Sequence, residues 1–274
     1  MLQGRSKFLT FTLYTGLFFL YVPMLLLIIY SFNYSKLVPV WGGWSTRWYK
    51  ELFQSPEVWE AVGLSLQIAF INATFATILG TLAGLAMVRF GRFKGRTLFG
   101  GILVAPLVMP EVITGLSLLV FFISLKEFIG WPAERGFTTI TIAHITFSLA
   151  YVAVIIQARL TGIGETLEEA ASDLGARPFK VLKAITLPRL APGMLSGWLL
   201  AFTLSLDDLV IASFVTGPGA NTLPILIFSR IRLGLRPDIN ALATLIIIFV
   251  AALVALAAYL MFRQQKRELM DQKM

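Results

Sequence analysis

The sequence predicts an all-α, polytopic membrane protein with six transmembrane helices, and three observations carry that prediction. Hydrophobic residues make up 57% of the 274 and charged residues only 14%, with a mean hydropathy of +0.79, more apolar surface than a soluble domain of this length needs. Several stretches exceed the roughly 20 apolar residues a helix needs to cross about 30 Å of hydrocarbon at 1.5 Å per residue. Lipid offers backbone groups no partners and an open sheet would leave its edges unpaired, so the stretches are helices.

The spans are expected at 8–30, 62–88, 98–125, 138–158, 191–216 and 239–262. The first follows Arg5 and Lys7 but is too long for a signal-peptide core and precedes no A-x-A site, so it reads as a retained anchor. The third holds Pro106 and Pro110 with Thr114 and Gly115 shortly after, which predicts a kink or interruption near mid-membrane. The fourth carries the only histidine, His144, on one helical stripe with Thr141, Ser148 and Tyr151; interhelical hydrogen bonding is its expected work, since metal sites need several ligands. The fifth should end sharply at Gly217-Pro218-Gly219, leaving 223–233 to fold as a short amphipathic piece.

Basic residues set the orientation. The N-terminus, the 89–96 loop, the 159–189 loop and the C-terminal tail hold 15 Lys and Arg, and the opposite loops hold 8, which places both termini and the richer loops in the cytosol. The net charge of +8 is spread among loops with no basic face or stacking platform, so nucleic acid is excluded as a partner and lipid is the expected surroundings. With no cysteine there is no disulfide framework or thiolate site. No internal repeat stands out, and extramembrane pieces of about 30 residues are too short for a core of their own. The chain is therefore expected to be one transmembrane domain, 1–274, with core helices at about 62–262 and a cytoplasmic coupling loop at about 159–189. The outer loop 31–61 is rich in Trp41, Trp44, Trp48, Tyr49 and Trp59, a composition typical of interfacial anchoring, with Trp48 kept as a candidate for solute contact.

The charged loop between the fourth and fifth spans is the most informative part. Thr166 and Glu169 have capping-box spacing, which predicts a helix starting there. Gly175 suits the left-handed position that ends a helix, and Pro178 suits the first turn of the next. Ala170 and Ala171 expose little side chain, while Glu165, Glu168, Glu169 and Asp173 surround them with negative charge. This is the form of a plug for a complementary groove, although a solvated amphipathic connector has the same periodicity.

The run EAASDLGARPFKVLKAITLP, residues 169–188, resembles the permease signature of bacterial ATP-driven importers, in which EAA, three residues, Gly, nine residues and I-x-LP follow one another. Ser31-Phe32-Asn33, the 44–49 stretch, the 105–115 stretch around Pro106 and Pro110, and the 204–214 stretch around Asp207 and Asp208 resemble the polyamine branch of that family. The resemblance implies the type I ABC importer permease fold. It also implies an assembly of two permeases, two copies of a cytoplasmic ATPase and a periplasmic polyamine-binding protein. Thr166, Glu169, Ala170, Ala171 and Gly175 would couple this chain to the ATPase. No cofactor is expected in this chain, with ATP and Mg bound by the partner; the nearest glycine-rich run, 91–97, lacks both the spacing and the Lys of a P-loop.

Three carboxylates fall within the expected spans, and each costs about 2.5 to 3.5 kcal/mol at a helix centre, so each needs a reason. A protonated polyamine needs carboxylates to replace water around nitrogen and aromatic faces to hold its methylenes. Glu111 follows the proline pair, where freed carbonyls would join it. Asp207 and Asp208 point about 100° apart. Asp208 shares a stripe with Gly197, Ala201, Ser205 and Ala212 and is the first choice for the path, whereas Asp207 lies with Leu200, Leu204, Ile211 and Phe214. The competing readings are a permease for another solute, an intramembrane enzyme built on Glu111, Asp207 and His144, and a passive channel. No spacing motif supports the enzyme, and a channel would not need the plug.

Overall fold

The computed structural model describes residues 7–36, 40–234 and 237–252. Among them every regular element is helical, with one isolated antiparallel bridge between Asn33 and Trp44. The elements are α1 (Lys7–Tyr30), α2 (Arg47–Phe53), α3 (Pro56–Arg89), α4 (Arg96–Val108), α5 (Glu111–Ile129), α6 (Phe137–Ile163) and α7 (Thr166–Asp173). They are followed by α8 (Pro178–Asp207), α9 (Val210–Val215), α10 (Leu223–Leu233) and α11 (Pro237–Ala252). Two compact units result, one of residues 59–226 and one of the described parts of 1–58 and 227–274.

Helices α1, α3, α5, α6 and α8 are each long and apolar enough to cross a membrane, and α4 and α11 are shorter apolar helices. The expected third span is thus two helices, divided at Met109 and Pro110, whose ψ angles are both 135°. Pro110 has no N–H to give and its ring disfavours helical geometry at Met109, so the break falls where the proline dictates. The expected fifth span begins earlier, at Pro178, and passes through a π-helical turn at Leu182–Thr186. Pro188 follows two residues after it, and the wider turn takes up the hydrogen bond it cannot make. This span is broken again at Asp208 and Leu209 before α9. For the sixth span, residues 253–262 lie outside the described set. The expected piece at 223–233 is α10.

Within the 59–226 unit α6 is the central helix. Its residues Ile140, Ala143 and Phe147 pack with Ile68, Phe122, Ile211 and Val215. One turn group further along, Val152, Ile156 and Leu160 pack with Ala73, Ala76, Leu85, Leu190 and Ala201. Small residues make the approach close: a Cβ on Gly80 would sit 2.8 Å from the Val152 side chain, and one on Gly197 3.1 Å from it. Because lipid tails are as apolar as Leu, such close packing and interhelical hydrogen bonds hold the helices together in place of a hydrophobic drive.

In the other unit, Asn33 organises the loop after α1. Its Nδ2 donates to the Val40 carbonyl at 2.7 Å, its Oδ1 accepts from the amides of Ser35 and Gly42, and its carbonyl accepts the Trp48 indole N–H at 2.6 Å. Arg230 on α10 pairs with Glu57 at 2.7 Å and with Asp238 at 3.0 Å. No residue of α1 is buried, and the helix is apolar around its whole circumference, as a lipid-facing span must be.

The packing around α6 yields a prediction. Gly80→Val should destabilise the purified chain in detergent by about 1 to 3 kcal/mol, because Val152 is β-branched, fully buried and has no room to retreat. Gly101→Ala, with nothing within 4 Å of its Cβ position, should leave the thermal midpoint unchanged or raise it. Equal midpoints for Gly80→Val and the parent chain would contradict the close contact.

Candidate functional site

The charged loop between the fourth and fifth spans forms as a helix, a turn and a second helix. Helix α7 closes in a Schellman motif: the Gly175 amide donates to the Ser172 carbonyl at 2.9 Å and the Ala176 amide to the Ala171 carbonyl at 3.0 Å, with Gly175 at φ +80°. Pro178 opens α8 in its first turn. The N-terminus differs from expectation. Thr166 is the first helical residue, Glu165 is the cap residue, and no Thr166–Glu169 capping box forms. The amides of Glu168 and Glu169 donate instead to the Glu165 carbonyl at 2.8 and 3.0 Å.

The cause is Arg89, the last residue of α3. Its Nη1 lies 3.0 Å from the Glu165 carboxylate and its Nε 2.9 Å from that of Glu168, while its Nη2 donates to the Gly164 carbonyl at 2.7 Å. Glu168 also accepts the Thr186 hydroxyl from the π-helical turn at 3.0 Å, and Arg189 donates to the Ile163 carbonyl at 3.2 Å. A planar guanidinium presents several donors in one fixed fork, so a single side chain can join three segments. A cleft of about 680 Å³ remains beneath α7, lined by Leu85, Arg89, Phe90, Glu168, Phe179 and Thr186 among others.

On its outer side α7 leaves Glu169 and Ala170 exposed and Ala171 half-buried. Leu167 and Leu174 are also exposed, the latter by 90%. Leu167, Ala170, Ala171 and Leu174 follow i, i+3, i+4, i+7 spacing, so they form one apolar stripe turned away from the protein. Sequence reasoning found the alanines but missed both the leucines beside them and the Arg89 cradle. The spacing of the leucines was visible in the chain; the pairing of Arg89 with residues 76 and 79 positions later was not.

The candidate path residues differ in their surroundings. Trp48 is 2% exposed, its N–H is committed to Asn33, and the Arg47 guanidinium stands 5.3 Å from its ring centroid. Its faces and its donor are engaged within its own unit, which gives it a packing role. Glu111 is exposed at the first position of α5, directly after the Pro110 break. Asp207, at the end of α8, is exposed as well.

Asp208 is engaged inward. Its Oδ2 accepts from the Ala212 amide at 2.7 Å and lies 3.0 Å from His144 Nε2, and its Oδ1 accepts from the Ile211 amide at 3.2 Å. His144 Nδ1 lies 2.7 Å from Ser205 Oγ. Gly197, Ala201 and Ser205, the stripe that made Asp208 first choice, are all buried, with Gly197 against Val152 of α6. The stripe is a helix contact, and that contact turns Asp208 into the protein and Asp207 out of it. Deeper along the same seam, Asn72 Nδ2 donates to the Ala201 carbonyl at 2.7 Å and to Ser148 Oγ at 3.1 Å.

Several apolar helices, a charged loop and carboxylates at helix breaks define a multi-pass membrane protein. Residues 76–269 match the family model of the binding-protein-dependent transport system inner membrane component, and the chain belongs to that family. It is a multi-pass membrane protein and a transporter subunit, not an enzyme. It is 59% identical to the putrescine transport system permease protein PotI of Escherichia coli strain K12, over 97% of this chain and 95% of that protein. With the spermidine/putrescine transport system permease protein PotC of the same strain it shares 39% identity over 91% of each. Its fold is similar to a chain of the bacterial alginate ABC transporter solved with an alginate pentasaccharide-bound periplasmic protein: TM-score 0.71, 20% identity, 92% of this chain and 91% of that one.

The cradle makes a direct prediction. Arg89→Ala should raise amide hydrogen exchange across residues 165–173 by roughly ten- to a hundredfold, since hydrogen bonds to charged groups contribute about 1.5 to 3 kcal/mol each. Arg89→Lys should recover only part of the protection, because one ammonium cannot reach two carboxylates and a carbonyl together. Unchanged exchange in Arg89→Ala would show that α7 is held by its own caps.

Proposed function

We propose that this chain is the membrane permease of an ATP-driven importer for polyamines, putrescine first and spermidine second. The observation that carries this reading is the 59% identity to a putrescine permease over nearly the full length of both chains. In the assembly it would form half of the translocation pore with a second permease, stand on two copies of a cytoplasmic ATPase that bind ATP and Mg, and receive solute from a periplasmic binding protein. The complex of the structurally similar alginate transporter with a periplasmic protein supports the last partner. The chain would lie in the bacterial inner membrane with both termini in the cytosol, as the basic loops direct.

The docking loop supplies the coupling. The exposed stripe of α7 is narrow at Ala170 and Ala171 and flanked by Leu167 and Leu174, a shape that seats in an ATPase groove. Glu169 adds charge at the rim, and Gly175 sets the angle at which the following helix leaves. Movement of the ATPase would pass from α7 through Arg89 to α3 and through Glu168 and Thr186 to α8. Along the solute path, Glu111 and Asp207 would meet the ammonium groups, each at a helix break where backbone carbonyls are freed.

Uptake of labelled putrescine and spermidine by proteoliposomes holding the whole complex tests the reading. Asp207→Asn and Glu111→Gln should each raise the concentration for half-maximal uptake by roughly ten- to a hundredfold, the worth of a charge-assisted hydrogen bond at 1.4 kcal/mol per factor of ten. Saturable import of an unrelated solute with no competition by putrescine would overturn the substrate, and uptake without ATP would favour a channel.

Coupling has its own test. Glu169→Lys and Gly175→Pro should leave the chain in the membrane while abolishing both ATPase capture and uptake. Normal uptake by either variant would remove the loop from the mechanism. Because the chain has no cysteine, a single Leu174→Cys substitution also reports orientation. It should react with an impermeant thiol reagent only from the cytosolic side, and labelling from outside would reverse the topology.

A further inference from the structure

The buried chain Ser205–His144–Asp208 has no role in the reading above, although it sits at the break beside the proposed path. We propose that His144 is a positioning residue: it holds Asp208 as the internal cap of the α8–α9 break and thereby leaves Asp207 as the only one of the two adjacent carboxylates presented to solute. The inference rests on the polyamine-path reading for its purpose, and on geometry alone for its structure.

Helix α8 stops at Asp207, and the first amides of α9 have no helical partner. In a membrane interior no water is at hand to satisfy them. The Asp208 carboxylate accepts from two of them, Ile211 and Ala212, at 3.2 and 2.7 Å. A carboxyl group that bonds two amides on a side chain only 9% exposed still has acceptor capacity to fill, and a third donor holds it there. His144 provides it from α6, at 3.0 Å.

Both ring nitrogens are engaged. With a proton on Nε2 the imidazole donates to Asp208, and its Nδ1 shares a hydrogen bond with the Ser205 hydroxyl, 2.7 Å away. His144 itself is 3% exposed, and Ser205 6%. The network is closed against solvent, and an ammonium group passing along the exposed surface meets Asp207, which is not part of it. Asp208 would then act on transport through the shape of the break and not by contact with solute.

The test uses the assembled complex and a readout that does not depend on which solute is carried. In the cysteine-free chain, Asp207→Cys should react with a small cationic methanethiosulfonate at least tenfold faster than Asp208→Cys. Adding His144→Ala to Asp207→Cys should change its labelling rate at least fivefold, as the break loses its brace. Adding His144→Gln, whose amide supplies one donor and one acceptor, should keep the rate within twofold. ATP-driven uptake normalised to assembled complex should follow the same order, falling at least tenfold in His144→Ala and returning to within threefold in His144→Gln.

Equal labelling at the two positions, or an unchanged Asp207→Cys rate with His144→Ala, would overturn the proposal. So would equal failure of the Gln and Ala variants in both assays. If the wild-type complex carries no polyamine, the solute assignment falls while the labelling rates still decide the role of His144.

Discussion

Every backbone N–H and C=O inside a bilayer must find its partner within the protein, and this constraint governs where the chain can do anything other than run as helix. Among the described residues it breaks in two places within its apolar stretches, at Met109–Pro110 and at Asp208–Leu209. The two breaks are repaired differently. At the first, a proline removes one donor outright, and the amides of Ile113 and Thr114 return to the Pro110 carbonyl at 2.9 and 3.2 Å. At the second no proline helps, and a carboxylate must enter to cap the new helix. The first break leaves its acid, Glu111, exposed; the second consumes one acid and exposes the next.

Helix α6 gives the second break an unbroken support. It is continuous from Phe137 to Ile163 and presents small or polar residues where neighbours come close. Phe214 lies so near Gly115 that a Cβ there would be 2.7 Å away, so α9 and α5 meet directly at the two breaks. Thr139 ties the end of α9 to α6, its hydroxyl donating to the Val215 carbonyl at 2.7 Å. The break at Asp208 is therefore held at both ends of α9: by His144 at the start and by Thr139 at the finish.

How much of this was legible in the sequence depends on the range of the interaction. Local geometry was readable: Gly175 and Pro178 announced the end of one helix and the start of the next, Pro110 announced an interruption, and Gly217-Pro218-Gly219 announced the turn before α10. Interactions between distant segments were not. Thr166 and Glu169 had the spacing of a capping box, but Arg89 drew Glu165 and Glu168 to itself and shifted the cap by one residue. Trp48 belonged to an aromatic cluster typical of an interface, but the carbonyl of Asn33 claimed its N–H. The stripe Gly197, Ala201, Ser205, Asp208 was correctly read as small and polar. Such a stripe serves a pore and a helix contact equally well, and only the position of Val152 decided between them.

The same distinction bears on the two polar clusters. Around His144 the polar groups are buried and mutually satisfied, so exchanging one partner leaves another unpaired at a cost of about 1 to 3 kcal/mol. Around Arg89 only Glu165 reaches the surface, 52% exposed, where water can replace its bond; the Arg89 and Glu168 side chains are 12% and 15% exposed. Glu168 therefore carries the firmer part of that joint, and through the Thr186 hydroxyl it ties α7 to α8 as well as to α3. Both clusters join segments far apart in the chain through a charged side chain that is largely enclosed, which is why neither was legible from local spacing.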